Sequence, residues 1–469
     1  MVGEPEVISE HMCDDNSLLS RRKLLISAAG AAMTPVSGCS VLGGQSSPSS
    51  QDTPSQPFPT TSAPGTPAGP TVIRSSNFED LQAALDAASP QDTVLVDRDH
   101  QVADRQPASL EVPISDIKIQ GDGDSVIEAA NPNPTGDILR IENKENVWID
   151  NLTIDAKCGE DRGDARIIGG QDIGTLSNVR VTGCVCRNSG RNAINFVNDE
   201  VRGDLTDFYI ANNIVDFSSN HGILMGVYDN RGKISIENVI YDSNRVHNTD
   251  SQALGVFAVG DNAMGKNILY VSNTIEQPRS TDYQGSNTSL EANISNAAYY
   301  GNQVISAPNS VQAGPSITKG GEQNIIANNK IRNGGRMMRV VDREPFNGGP
   351  PRENLVINND VANGNHGLYT AELEGALQAS DNRMRNVDNI ITQRNNTGEP
   401  YVFYNNGPDV SASDVGIPNQ FENPVTWQNR EGQTIGALSW TSGSPQPNEP
   451  VKVAVSVDLD GGASVTDLS

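Results

Sequence analysis

Lysine is scarce in this chain of 469 residues: of its 33 basic residues, 9 are lysine and 24 arginine. Acidic residues outnumber them, with 36 Asp and 22 Glu, for a formal net charge of -25. Self-repulsion at such charge destabilises a fold in dilute buffer, and concentrated salt screens it. A lysine-poor, Asp-rich surface reads as adaptation to high salt; an ordinary acidic exported protein is the other reading. The shortage of positive charge also argues against nucleic acid as a partner, because no basic patch is evident to neutralise phosphates. Long apolar runs are lacking as well. The small-residue apolar stretch from Leu24 to Val36 is too short for a standard membrane span. Cysteines number five, at 13, 39, 158, 184 and 186, and their spacing is not that of a metal site.

The N-terminus carries an export address. Arg21-Arg22 precedes the short apolar stretch, which ends in Val36-Ser37-Gly38-Cys39. The twin arginine resembles a Tat signal, and the last four residues resemble a lipobox, in which Cys39 becomes the lipidated first residue of the mature chain. Residues 1–38 are thus expected to be a lipoprotein signal peptide, with Met12 an alternative start, and Cys39 a lipid-bearing anchor on the outer face of the cytoplasmic membrane. Residues 39–71 are dominated by Ser, Thr, Pro, Gly, Gln and Ala. Such a stretch buries too little apolar surface to offset its ordering entropy and is expected to be a disordered tether.

From about residue 205 a pattern recurs: an apolar run, a small polar residue, Asn, any residue, then Val or Ile. The Asn falls at 213, 244, 273, 302, 329 and 359, in steps of 31, 29, 29, 27 and 30. Gly183 takes the place of Asn one period earlier, and a looser copy sits at Trp148 to Ile154. A fixed period near 30, with β-branched runs between turn residues, points to a solenoid of strands. Helical and leucine-rich repeats are excluded, because no 3.6-residue apolar period or leucine template accompanies it. Asn between two strands tolerates left-handed dihedrals, and its amide can bond the equivalent Asn of the next coil.

This combination resembles the pectate-lyase-like superfamily of right-handed parallel β-helices, over residues 72–404. The resemblance implies an all-β fold, with the amphipathic segment Asn77 to Ala88 as an N-terminal capping helix. Its apolar face is Phe78, Leu81, Leu85 and Ala88. Residues 405–469 are expected to form a short irregular cap or small β appendage. Cys158 lies about one coil before Cys184 and Cys186, so either a disulfide or a stack of buried thiols is compatible with the spacing. Tyr241, Tyr270 and Tyr299, three positions before successive ladder Asn residues, read as an inner core column.

Three positions after each ladder Asn an outward column is expected, carrying Asp216, His247 and Glu276 on consecutive coils. A carboxylate, an imidazole and a carboxylate within reach of one another can move a proton on a sugar, hydrolyse a glycoside, or hold a divalent ion such as calcium. The alternative is an acidic surface by composition alone. A second candidate comes from resemblance. Lys319 to Ile331, followed by Gly334-Gly335-Arg336-Met337-Met338-Arg339, resembles alginate and chondroitin lyase β-helices. That resemblance implies Lys319 as base and Arg339 as proton donor or carboxylate partner, with Arg279, Arg332 and Arg336 binding substrate. The sequence departs from it where the family's Arg-His-Gly is Arg339-Val340-Val341. The function expected is a cell-surface polysaccharide-active protein, a lyase or hydrolase on acidic glycans, or a non-catalytic adhesin. If the basic residues cluster beside Asp216, His247 and Glu276, the enzyme gains; if they scatter or pair with carboxylates, the binder does.

Overall fold

A strand of three to nine residues with one apolar face is unstable alone, but thirty-residue coils stacked in register bury that face continuously. The computed structural model describes residues 70–407, apart from 160–162, 229–232, 278–287, 308–309, 313, 319, 323, 343–350, 352–353, 358, 374–376, 381, 395, 397–400 and 405, and short strand segments beyond. Those described residues form a right-handed parallel β-helix. A first sheet of 13 parallel strands runs from Val72–Arg74 to Tyr401–Tyr404. A second stack takes in Val185–Ser189, Ile214–Ser218, Arg245–Thr249 and Thr274–Gln277. A third takes in Arg166–Gln171, Ile194–Asn198, Ile223–Tyr228, Leu254–Val259 and Thr288–Glu291. Towards the C-terminal end, the strands Lys330–Val341, Asp360–Ala371 and Arg383–Arg394 each run through both of these stacks. Beyond them, Val425–Gln428, Thr434–Trp440 and Val453–Ser456 pair antiparallel.

The interior consists of columns. Val179, Phe208, Val239, Ile268 and Ala297 follow one another in register on the first sheet, each at most 2% exposed. Burying such a branched side chain contributes about 1.5–3 kcal/mol as an upper figure. Tyr241, Tyr270 and Tyr299 form the expected inner column, with ring centroids 4.8 and 4.5 Å apart. Two of their hydroxyls bond within the core: Tyr270 Oη donates to the Ser289 carbonyl at 3.0 Å and Tyr241 Oη to the Gly255 carbonyl at 3.4 Å. Cys158, Cys184 and Cys186 are buried free thiols, so the disulfide alternative falls.

The capping helix is shorter than the segment expected. A 3-10 turn at Ser75–Asn77 is followed by extended Phe78, and the α-helix spans only Leu81–Asp86. Asp80 sets the start, its side chain accepting from Ala83 N at 2.8 Å. Leu81, Ala84 and Leu85 are buried, while Phe78 and Ala88 pack against the core from its margin.

The asparagine ladder is present and longer than the repeat revealed. Asn213 Nδ2 donates to Asn244 Oδ1 at 2.9 Å, and the chain continues through Asn273, Asn302, Asn329, Asn359 and Asn382 to Asn406. Two expectations need correction. The left-handed residue is the one before the ladder Asn, as at Asn212, Ser243, Ser272, Gly301 and Asn328. Gly183 therefore matches Asn212 with φ 63°, and Cys184 is the residue at the ladder position, its N–H donating to Asn213 Oδ1. Glycine suits that corner because a left-handed backbone costs it nothing.

Candidate functional site

On the second sheet Val215, Val246 and Ile275 are fully buried, so the residues after them face out. Those residues are Asp216, His247 and Glu276, in register on three consecutive coils. His247 Nδ1 lies 3.5 Å from Asp216 Oδ1, and Nε2 lies 3.9 Å from Glu276 Oε2. Left-handed Asn248 turns the chain just past the column and folds its amide back, so that Nδ2 donates to His247 Nδ1 at 2.6 Å. The Asp216 carboxylate can only accept from that same Nδ1, so Asn248 and Asp216 compete for opposite tautomers of the ring. Arg245 occupies the same Glu276 oxygen at 3.2 Å. The side chains of Asp216, His247 and Glu276 are 48%, 32% and 30% exposed, so a ligand on the sheet surface can touch all three.

This arrangement narrows the chemistry. Two coil rises of about 4.8 Å place the two carboxyl-bearing positions roughly 9.6 Å apart, at the wide end of the separation used by inverting glycosidases. The imidazole fills the space between them, where a sugar and water would have to sit. A flanking carboxylate pair is thus poorly served, whereas an oriented imidazole can hydrogen-bond a hydroxyl or pass a proton. The donors stand in a row along the stack rather than around a point. Among the described residues no group of three or more His, Cys, Asp or Glu side chains is placed to hold a metal ion. Among the described residues, Asp216, His247 and Glu276 do not converge on a point as the ligands of a calcium ion do.

The remaining candidates are distributed elsewhere. Arg332 belongs to the same column, two coils beyond Glu276 by way of Ile305. Its guanidinium is taken by Asp360, NH2 to Oδ2 at 2.5 Å. Arg336 and Arg339 lie on the same long strand as Arg332 but past the corner. Arg336 covers the Tyr369 ring at 4.2 Å, and Arg339 sits on the third stack opposite Ser316 and Tyr369, only 5% exposed. So covered, Arg339 does not present its guanidinium to a polymer at the surface, and it does not join His247. Lys319, Arg279 and Cys39 lie outside the described residues.

The third stack carries polar groups that the ladder-based reading passed over. Ser289 Oγ donates to Gln252 Oε1 at 2.6 Å, and Gln252 Nε2 donates to Glu291 Oε1 at 2.8 Å, all three residues buried. Beside them the His221 ring meets Phe257 edge-on at 5.8 Å. Burial, with the Arg191 charge adding to it, holds the His221 imidazole down to about 3. The available signal was polar residues at alternate positions of a strand, as Ser289 and Glu291 in Thr288-Ser289-Leu290-Glu291. Ser289, Gln252 and Glu291 bond one another beneath the surface, so the exposed candidate remains the second-sheet column.

No family model matches the sequence, and no curated protein does. Solved structures with a similar chain course are right-handed β-helices of varied description. An exopolygalacturonase of Thermotoga maritima is 11% identical, with 71% of this chain and 91% of that one covered and a TM-score of 0.48. A mannuronan C-5 epimerase A-module of Azotobacter vinelandii is 13% identical, over 73% and 100%, with a TM-score of 0.45. A Streptococcus pneumoniae surface protein and adhesin is 12% identical, over 71% and 99%, with a TM-score of 0.40. At such identities no residue's role transfers.

Proposed function

We propose that this chain is a surface-displayed glycan-binding protein that holds sugar along the outward face of its second sheet, around His247, without turnover. In this reading the Arg21-Arg22 signal exports it, Cys39 ties it to the membrane, and the acidic surface keeps it soluble in salt. One observation carries the preference for binding over catalysis: the arginines that uronate chemistry would draw on are already engaged or covered. Arg332 is on Asp360, Arg245 on Glu276, Arg336 on Tyr369, and Arg339 is buried. What stays available is a run of exposed hydrogen-bonding groups at coil spacing, which suits the hydroxyls of an extended polysaccharide. The fixed ring orientation of His247 favours a second reading, acid–base turnover at the same spot.

One experiment separates them. The full chain, in molar salt with and without calcium, is offered alginate, pectate, chondroitin and neutral glycans. Bound polymer is followed by co-sedimentation, and products by reducing ends and the ultraviolet absorbance of unsaturated uronates. The binding reading expects retention without product, with affinity falling about tenfold in His247→Ala, the loss of one hydrogen bond to the sugar. Product that disappears in His247→Ala while retention persists would establish the catalytic reading. A folded protein that retains no glycan at all sinks both.

A further inference from the structure

We infer that the C-terminal end of the second sheet is an anion-binding site that takes the carboxylates of an acidic polysaccharide laid along the stack; this rests on the glycan-binding reading. Its outward positions on three consecutive coils are Lys330 and Arg332, Asp360 and Ala362, Arg383 and Arg385, in direct register. Four cations therefore face one carboxylate, in a chain whose net charge is -25. Along the sequence Arg383 and Arg385 are some fifty residues from Lys330, so no basic patch is evident there; the coils bring them within about 10 Å.

Asp360 does not neutralise the cluster. Arg332 approaches its Oδ2 at 2.5 Å, and Arg385 NH2 lies 3.0 and 3.1 Å from its two oxygens. One carboxylate thus aligns two guanidinium groups and leaves a surplus of positive charge. Lys330 and Arg383 are exposed and make no ion pair among the described residues, and Arg385 Nε donates to no group among them. Beside the cluster, the amides of Asn333, Asn363 and Asn386 form a second, outer ladder at left-handed positions, with Asn386 Nδ2 on Asn363 Oδ1 at 3.1 Å. It borders the cations with hydrogen-bonding groups fit for hydroxyls.

The spacing selects the ligand. The exposed cations left over from the Asp360 pairs, Lys330 and Arg383, sit on alternate coils, with the Asp360 coil between. An extended polymer whose successive sugars turn over presents the carboxylates of alternate residues to one side, which matches that alternation. The dominance of arginine also fits a salty medium. At molar salt the screening length falls to about 3 Å, so only contact pairs persist, and guanidinium binds carboxylate bidentately. Nucleic acid is the poorer fit, because none of the six outward positions is aromatic and bases would find nothing to stack on.

The test uses the full chain and the double variant Lys330→Gln/Arg383→Gln, which removes two exposed cations and leaves the Asp360 pairs intact. Oligogalacturonate, a neutral oligoglucan and a short DNA duplex are titrated across a salt series, with circular dichroism to confirm folding. Expected is a roughly tenfold weaker grip on oligogalacturonate, with a shallower salt dependence and unchanged neutral-glucan binding. Unchanged oligogalacturonate affinity in the folded variant overturns the inference. So does DNA binding more tightly than oligogalacturonate to the wild-type chain. If both sugars bind equally and only His247→Ala weakens them, the glycan reading stands and this site fails; if neither binds, the glycan reading itself fails.

Discussion

Replacing Asn273 by alanine tests what keeps the coils in register. Asn273 Oδ1 accepts from Asn244 N at 2.9 Å and from Asn244 Nδ2 at 3.0 Å. Its own Nδ2 donates to the Tyr241 carbonyl and to Asn302 Oδ1, both at 2.9 Å. The residue is wholly buried, so water does not take over these bonds. Some partners have substitutes: Asn244 Nδ2 keeps the Ile210 carbonyl, and Asn302 Oδ1 keeps the Asn273 N–H. The Asn244 N–H loses its acceptor and the Tyr241 carbonyl loses a donor. At about 1–3 kcal/mol for each of the two buried groups left unsatisfied, Asn273→Ala costs roughly 2–6 kcal/mol. Cys184→Ala, at the same ladder position but outside the amide chain, costs less. Urea unfolding in molar salt reads the stability, and hydrogen exchange at the Asn244 amide reads the local effect. A loss under about 1 kcal/mol, with Asn244 protection unchanged, would refute the ladder as the element that fixes register.

Two further outcomes follow from buried titratable groups. Burial pushes the Cys158 thiol up to about 11 and the Cys184 thiol up to about 12, and Cys186 is raised well above its ordinary value. A thiol reagent near neutral pH should therefore leave these three unlabelled in the native chain and modify them on denaturation; labelling before unfolding would count against the buried stack. His221 is held near 3 by burial, its Nδ1 sealed from solvent although part of the residue is exposed, whereas an unfolded imidazole titrates near 6.5. The folded state binds the proton less readily, so this contribution to stability is complete above about 6.5 and is lost as pH falls towards 3. The melting temperature should decline over that window, and less steeply in His221→Phe; parallel pH profiles for the two proteins would contradict the assignment.

Much of the architecture was legible because the ladder asparagines repeat at nearly constant spacing and are flanked by apolar runs. The placement of Asp216, His247 and Glu276 on one face followed from counting three residues past each. Where the count lacked an Asn it slipped: Gly183 was matched to Asn213, although its left-handed backbone belongs with Asn212. The row of left-handed Asn146, Asn178, Asn238 and Asn267 within the first sheet escaped notice because Asp207 interrupts it. Arg332 and Arg339, seven residues apart on one strand and drawn into one site by the resemblance, fall on different stacks. The strand turns a corner between them, which sequence distance does not reveal. The basic cluster was invisible for the opposite reason, its members being distant in sequence and adjacent in space.

From the coil of Trp148 onward the step from the first sheet to the second is constant, whereas three residues separate Val96 from His100 and four separate Gly121 from Val126 in the coils before it. Ala211 and Ile214, Asp242 and Arg245, Val271 and Thr274, Tyr300 and Gln303, and Ile357 and Asp360 all bracket it with the same two residues between. In those later coils the length differences fall at the other two corners. A lineage can therefore lengthen, shorten or replace loops there without disturbing the ladder edge, and can add or delete whole coils by duplication. The ladder edge acts as a hinge-free spine, and the reach of the protein along a polymer becomes a quantity set by coil number, adjustable in increments of one rung.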